Sequence, residues 1–441
     1  MVKKYFQLEE KHTSVKVEFV AGLTTFLTMA YIIFVNPLIL SSAGMDKQAL
    51  IAVTCIVTAL ATILVGVFAR APIAMAPGMG LNAFFAYLVV SGDMDWQTAL
   101  GVVFLSGMLF LILTLLGLRK RIVEAIPSSL ISAIAVGIGL FITFIGLKNL
   151  GIIIKDEHTF VAAGPLTPTV LIGLFGLIVM IFLEMKKMTG SLVVGILAST
   201  VLAAIFGKVQ MPQQHISLHL NIGATAFRLN ILGALKLGFF GSIFTLMFMD
   251  MFDSIGTLVA CCHQANMIDK KNRIEGLDRL LGIDAVATMI GAILGTSTTT
   301  SYIESAAGIE QGGRTGLTAM VTGVLFLLAL LFVPLVQIVP GYATAPALVM
   351  VGLFMIKEVR KIDFANLEQA FPAFIIIVMI ALSYSISTGL AFGFISFTLI
   401  KMVSGKAREI KAAMWIIAIL SLIFLTLDRL ADIIDHLRQL V

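Results

Sequence analysis

Four carboxylates stand inside otherwise apolar stretches of this chain: Asp250 and Asp253 in "LMFMDMFDSIGT", Asp284 in "LGIDAVATMIG" and Glu304 in "TSTTTSYIESAAGIE". An acid placed centrally in a membrane segment costs roughly 3 kcal/mol even on insertion-type scales, so each needs a reason. Asp250 and Asp253 are three residues apart and share one side of a helix. Ser254, Gly256 and Thr257 follow them, leaving room for a ligand and supplying a hydroxyl. Close helix packing accounts for Gly256 but not for two acids. The nearest basic residue after Glu304 is Arg314, beside the Gly312-Gly313 turn, which makes a local ion pair the weaker explanation. The stronger one is a substrate-binding carboxylate at the start of a short helix. Such acids accept N–H donors from a small solute or carry a proton; Asp250 stands between a site role and a proton relay. Asp284 is expected to pair with Arg279 near the start of its own segment.

Among neutral residues, Asn82 in "APGMGLNAFFAY" both donates and accepts. It suits a ligand with mixed hydrogen-bonding edges, or else satisfies broken backbone. Phe84 and Phe85 are able to stack on a planar ring, although packing is the ordinary fate of any one of 31 phenylalanines. Thr24, Thr25, Thr28 and Asn36 in the first apolar run either line a cavity or bond their own helix.

Other chemistries find no support. The six histidines fall in tails or connections, and the three cysteines (Cys55, Cys261, Cys262) include no pair at a metal-ligand spacing. "GIGLF" near Gly137 has no following Lys-Ser or Lys-Thr, so it is not a nucleotide loop. No enzyme activity, metal or cofactor is expected.

The elements that must position these residues follow from composition. Of 441 residues, 59% are hydrophobic and 12% charged, against about one quarter charged in soluble domains. Apolar runs such as Val17 to Leu40, Leu50 to Phe68, Ala99 to Leu118 and Gly316 to Tyr342 meet the requirement of about 20 residues for a crossing. The net charge of +5 is not a nucleic-acid footprint. Of 30 Lys and Arg, 22 lie in the N-terminal tail and alternate connections, six in the other connections. Positive charge stays on the cytoplasmic side, so the N-terminus is expected inside, with about fourteen spans in a multi-pass inner (cytoplasmic) membrane protein.

The halves repeat. Laying "IPSSLISAIAVGIGLF" over "VPGYATAPALVMVGLF", 213 residues apart, aligns Pro127 with Pro340 and Gly139-Leu140-Phe141 with Gly352-Leu353-Phe354. With seven spans in each, the halves must be inverted, the repeat type of many secondary transporters. Expected divisions are a tail 1–18, a first repeat 19–230, a second repeat 231–404 and a C-terminal segment 405–441. Transporters of this kind carry one broken span per half. "APIAMAPGMGLNAFFAY" and "GTSTTTSYIESAAGIEQGG" fit, as prolines, glycines and β-branched threonines favour extended backbone over helix. Each is predicted to hold a short strand and then a half-helix, starting near Gly80 and Tyr302.

"FDSIGT", "TSYIESAAG", "GGRTGLTA", "AGLTTFLTMAYIIFVNP" and "APGMGLNAFFAY" resemble the nucleobase–cation symporter-2 family, specifically its adenine/guanine/hypoxanthine branch, in order over nearly the whole chain. The resemblance implies an all-α polytopic fold of fourteen spans in two inverted seven-span repeats. These divide into a core domain (spans 1 to 4 and 8 to 11) and a gate domain (5 to 7 and 12 to 14), with strands in spans 3 and 10. It implies that Asp253 and Glu304 bind substrate, with Asn82 and Thr257 beside them; Ile303, Phe84 and Thr28 are further candidates to line the site. Glu304, Asp253 and Asp250 become the candidates for proton coupling. It further implies proton symport of a purine nucleobase and often a homodimer. A carrier of xanthine, uracil or an anion on the same fold is the rival reading, and two carboxylates with no buried cation argue against the anion. "AAMWIIAILSLIFLTL" (412–427) exceeds the family's fourteen spans and is expected to be re-entrant or interfacial.

Overall fold

The structure, a computed structural model, describes residues 2–92, 94–117, 127–209, 222–267, 276–383 and 385–426, the last range without 413, 420, 423 and 424. Arg119, Lys120, Arg121, Lys270, Lys271 and Arg273, all counted above for sidedness, lie outside these residues.

Apolar runs in lipid must satisfy their own backbone, and helices do so within one segment. The membrane elements are span 1 (Val15–Ser41), span 2 (Lys47–Ala69), span 3 (strand β1, Met75–Pro77, then helix Met79–Val90), span 4 (Trp96–Leu115) and span 5 (Ser128–Leu150). An antiparallel hairpin follows, β2 (Ile153–Asp156) with β3 (Phe160–Ala163). Then come span 6 (Pro168–Met185), span 7 (Ser191–Ile205), span 8 (Phe240–Gln264) and span 9 (Leu277–Leu294). The last are span 10 (strand β4, Thr299–Ser301, then helix Ser305–Glu310), span 11 (Gly316–Gln337), span 12 (Gly341–Ile356), span 13 (Leu367–Leu382) and span 14 (Ile386–Val403). Eight of these helices are long and apolar enough to cross a bilayer by length and composition; the others are shorter, broken or more polar. Local chemistry sets where they begin: Ser14, Asp46, Asp95, Thr167, Thr315, Asn366 and Ser385 each accept an N–H from the first helical turn.

The repeat seen in the sequence is a contact in space. Pro127 and Pro340 occupy the N-cap positions of spans 5 and 12. Those two helices pack along each other with Gly139 against Gly352. A Cβ on Gly139 would stand 2.9 Å from the Gly352 carbonyl oxygen, and one on Gly352 would stand 2.5 Å from that of Gly139. Matched residues that touch are what an axis of pseudo-symmetry between two inverted halves produces. Spans 5, 6, 7, 12, 13 and 14 pack mainly on one another, as do spans 1, 2, 4, 8, 9 and 11, so the core and gate grouping holds.

The broken spans differ from expectation in their boundaries. The first half-helix begins at Met79, beside the expected Gly80, and the second at Ser305, three residues past Tyr302. In span 10 the strand and one turn use up three more residues before helical hydrogen bonding is established, which leaves Glu304 at the N-cap. In the C-terminal segment the described residues from 412 to 426 are largely helical and one-sided, with Met414 and Ile417 buried and Ile416, Ile419 and Leu422 exposed; 427–441 lies outside the described residues.

Candidate functional site

The two broken spans meet. β1 and β4 pair antiparallel, with Met75 opposite Ser301, Ala76 opposite Thr300 and Pro77 opposite Thr299. The ladder extends by Gly78 N–H to the Thr298 carbonyl (2.9 Å) and Tyr302 N–H to the Ala74 carbonyl (3.0 Å). Three-residue strands at membrane depth leave outer backbone groups unpaired. In each strand one residue's outer pair is met by a threonine from the preceding span. The Thr62 hydroxyl bonds both the N–H and the carbonyl of Met75 at 3.0 Å. Thr288 does the same to Thr299, at 3.1 and 2.9 Å. Thr62 is in span 2 and Thr288 in span 9, so the inverted repeat extends to single hydroxyls. The Tyr302 hydroxyl ties the pair again by donating to the Pro77 carbonyl at 2.6 Å.

Around this platform stand the carboxylates. Asp253, midway along span 8, is exposed, as is Gly256 one turn on, where open space surrounds the Cα. Asp253 lies within electrostatic reach of Glu304 and hydrogen-bonding reach of Thr300, so it faces the broken spans. Thr300 is itself held by Ser254 at 2.8 Å. Glu304 is half-buried and accepts the Tyr31 hydroxyl at 2.5 Å, while its own half-helix receives no cap from that carboxylate. A neutral phenol from span 1 and the residue's own backbone N–H hold the carboxylate. Ile303 is 49% exposed beside it, and Thr257 is half-exposed on the Asp253 side of span 8.

Asn82 is fully buried just after β1, and neither its amide nitrogen nor its oxygen meets a partner among the described residues. The alternative role of satisfying broken backbone is not the one it fills. Phe84 is fully buried, its ring stacked along Tyr87. Thr28 spends its hydroxyl on the Thr24 and Thr25 carbonyls. Asn36 is structural, donating to Thr54 (2.6 Å) and Thr296 (3.2 Å). Asp250 is buried behind the site, accepting from Thr288 at 3.3 Å. Asp284 is fully buried in electrostatic contact with Asp250, whereas Arg279 is exposed. Sequence reasoning missed Tyr31, Thr300, Thr62 and Thr288. Tyr31 had one visible signal: it is one of six tyrosines and stands mid-way along an apolar run.

Two hydroxyl-supported carboxylates, an open amide and a paired-strand platform make a site for a neutral solute rich in N–H donors. Among the described residues no three Asp, Glu, His or Cys side chains are grouped to hold a metal. The model of a family described as "Permease family" matches residues 16–392. The chain belongs to this family, the nucleobase–cation symporter-2 permeases. This permease is 47% identical over 425 residues to a Methanocaldococcus jannaschii protein assigned to the permeases without a named substrate, covering 96% of this chain and 97% of that one. It is 40% identical over 422 residues to the adenine permease AdeP of Escherichia coli, covering 95% of each. To the guanine/hypoxanthine permease PbuG of Bacillus subtilis it is 42% identical over 442 residues, covering 96% of this chain and all of the relative. Among solved structures it resembles the transmembrane domain of a cyanobacterial bicarbonate transporter, BicA, with a TM-score of 0.64 at 16% identity, covering 83% of this chain and 95% of that one. It also resembles SLC26A9, with a TM-score of 0.63 at 12% identity, covering 88% of this chain and 66% of that one. At these identities the likeness is one of fold. The permease is a multi-pass membrane transporter and not an enzyme.

Proposed function

We propose that this permease is a proton-coupled importer of purine nucleobases, adenine, hypoxanthine or guanine, working by alternating access across the cytoplasmic membrane with its N-terminus inside. The observation that carries this reading is the pairing of Asp253 and Glu304, each supported by a neutral hydroxyl, about a strand platform beside an amide with no partner of its own. Purine edges present N–H donors that carboxylates accept, and the adjoining ring nitrogens or carbonyl match an amide able to donate and accept. An anion would meet two acids here. Two carboxylates within reach of each other favour binding one proton between them, which gives the substrate a proton to travel with. Relatives named for adenine and for guanine and hypoxanthine support the same substrate class. The core group, which carries both broken spans, moves against the gate group in this reading.

The test is uptake of radiolabelled adenine, hypoxanthine and guanine by cells lacking their own purine permeases. Wild-type uptake is expected to be inhibited by unlabelled purines, not by sulfate, and to collapse with a proton uncoupler. Glu304→Gln and Asp253→Asn are each expected to lower uptake at least about 100-fold, the loss of a charge-assisted bond to substrate. Undiminished uptake in both variants would sink the site assignment.

A further inference from the structure

Tyr31 belongs to span 1, 273 residues away in sequence from Glu304, and its ring is 1% exposed. It sits where span 1 changes helical segment, between Val15–Met29 and Ile32–Ser41. A buried phenol needs an acceptor. The one it has is Glu304 Oε1, at 2.5 Å. Asp253 has a weaker donor, the aliphatic hydroxyl of Thr300, which is shared with Ser254. The two carboxylates are therefore held unequally, and Glu304 is held from outside its own span.

We propose that Tyr31 is a positioning residue for Glu304: its hydroxyl fixes the carboxylate's rotamer, takes up Oε1, and leaves Oε2 to receive the substrate. This inference rests on the transport reading above. Three observations support a role beyond packing. The contact is short for an O–H···O hydrogen bond, at 2.5 Å. Glu304 makes no cap to its half-helix and besides Tyr31 receives only its own backbone N–H, so Tyr31 is the donor that reaches it from another span. Span 1 also holds the rest of span 10: Gly308 packs so closely that a Cβ would stand 2.1 Å from Thr25 Oγ1, so the Tyr31 and Glu304 backbones keep a fixed separation.

Tyr31→Phe removes the hydroxyl and keeps the ring. In proteoliposomes with an imposed proton gradient it is expected to raise the KM for the preferred purine about tenfold, the worth of one hydrogen bond to a charged group, with a smaller change in maximal rate. The pH profile of uptake is expected to shift toward higher pH, because an ionised carboxylate loses a donor that its protonated form does not need. In a Glu304→Gln background, binding followed by purine-induced thermal stabilisation should show little further loss from Tyr31→Phe. A KM and pH profile equal to wild type overturns the inference. If Tyr31→Phe fails to reach the membrane, fluorotyrosine at position 31 changes only the acidity of the hydroxyl, and an unmoved pH profile there overturns the inference equally. Wild-type protein that takes up no purine defeats the transport reading itself, whereas wild-type uptake with an indifferent Tyr31→Phe defeats this inference alone.

Discussion

Glu18 is a fully buried carboxylate near the start of span 1, apart from the candidate site, and it organises the turn behind it. Its oxygens accept from the backbone N–H groups of Arg314 (3.0 Å), Thr315 (3.4 Å) and Thr318 (3.1 Å) and from the Thr318 hydroxyl (2.6 Å). These donors lie at and just before the start of span 11, where helical acceptors are lacking or, for Thr318, limited to the Thr315 carbonyl at 3.2 Å. Glu18→Ala strands them in an apolar setting and is expected to destabilise the fold by about 2 kcal/mol or more, with Glu18→Gln milder. Heating detergent-solubilised protein and measuring the monodisperse fraction checks this; identical melting of Glu18→Ala and wild type would show that water replaces the carboxylate. Charge in the wrong medium made Asp253 and Glu304 visible in the sequence, but Glu18 lies so near the polar tail that its burial gave no signal. Asn82 was visible as the strongest polar side chain in its segment, and only the structure shows that neither end of its amide is used.

Elements were legible where local chemistry decides them. Apolar length gave the helices, and prolines, glycines and β-branched threonines marked where spans 3 and 10 break. The pairing of β1 with β4 and its register were not legible, since two three-residue strands carry no alternation that would specify a partner. Their outer edges depend on Thr62 and Thr288, so Thr62→Val and Thr288→Val each leave a strand N–H and carbonyl unsatisfied. We expect a loss of about 1–3 kcal/mol from each, of similar size because the two sites are related by the repeat. Uptake at matched surface abundance should fall for both. A loss confined to one of them would mean that the strands are supported unequally, against the symmetry.

At the scale of the whole molecule, the contact between Gly139 and Gly352 shows what the faint repeat was recording. Spans 5 and 12 approach until a side chain on either glycine would meet a backbone carbonyl of the other, and at Gly352 also Thr143 Oγ1 at 1.9 Å. Gly139→Val and Gly352→Val should force the two helices apart at a cost of about 1–3 kcal/mol or more, lowering thermal stability while leaving Asp253, Glu304 and Asn82 in place. Purine-induced stabilisation should therefore persist in whatever fraction folds, which separates damage to the gate group from damage to the site. Variants as stable as wild type would show that the crossing is looser than drawn. Class, inversion and the candidate carboxylates were legible in the sequence itself, because hydrophobicity, charge and turn chemistry act within one segment. The partners of those carboxylates were decided by tertiary structure alone. Tyr31 and Glu304 are 273 residues apart, and nothing local to either selects the other; the packing of span 1 on span 10 brings them within hydrogen-bonding distance.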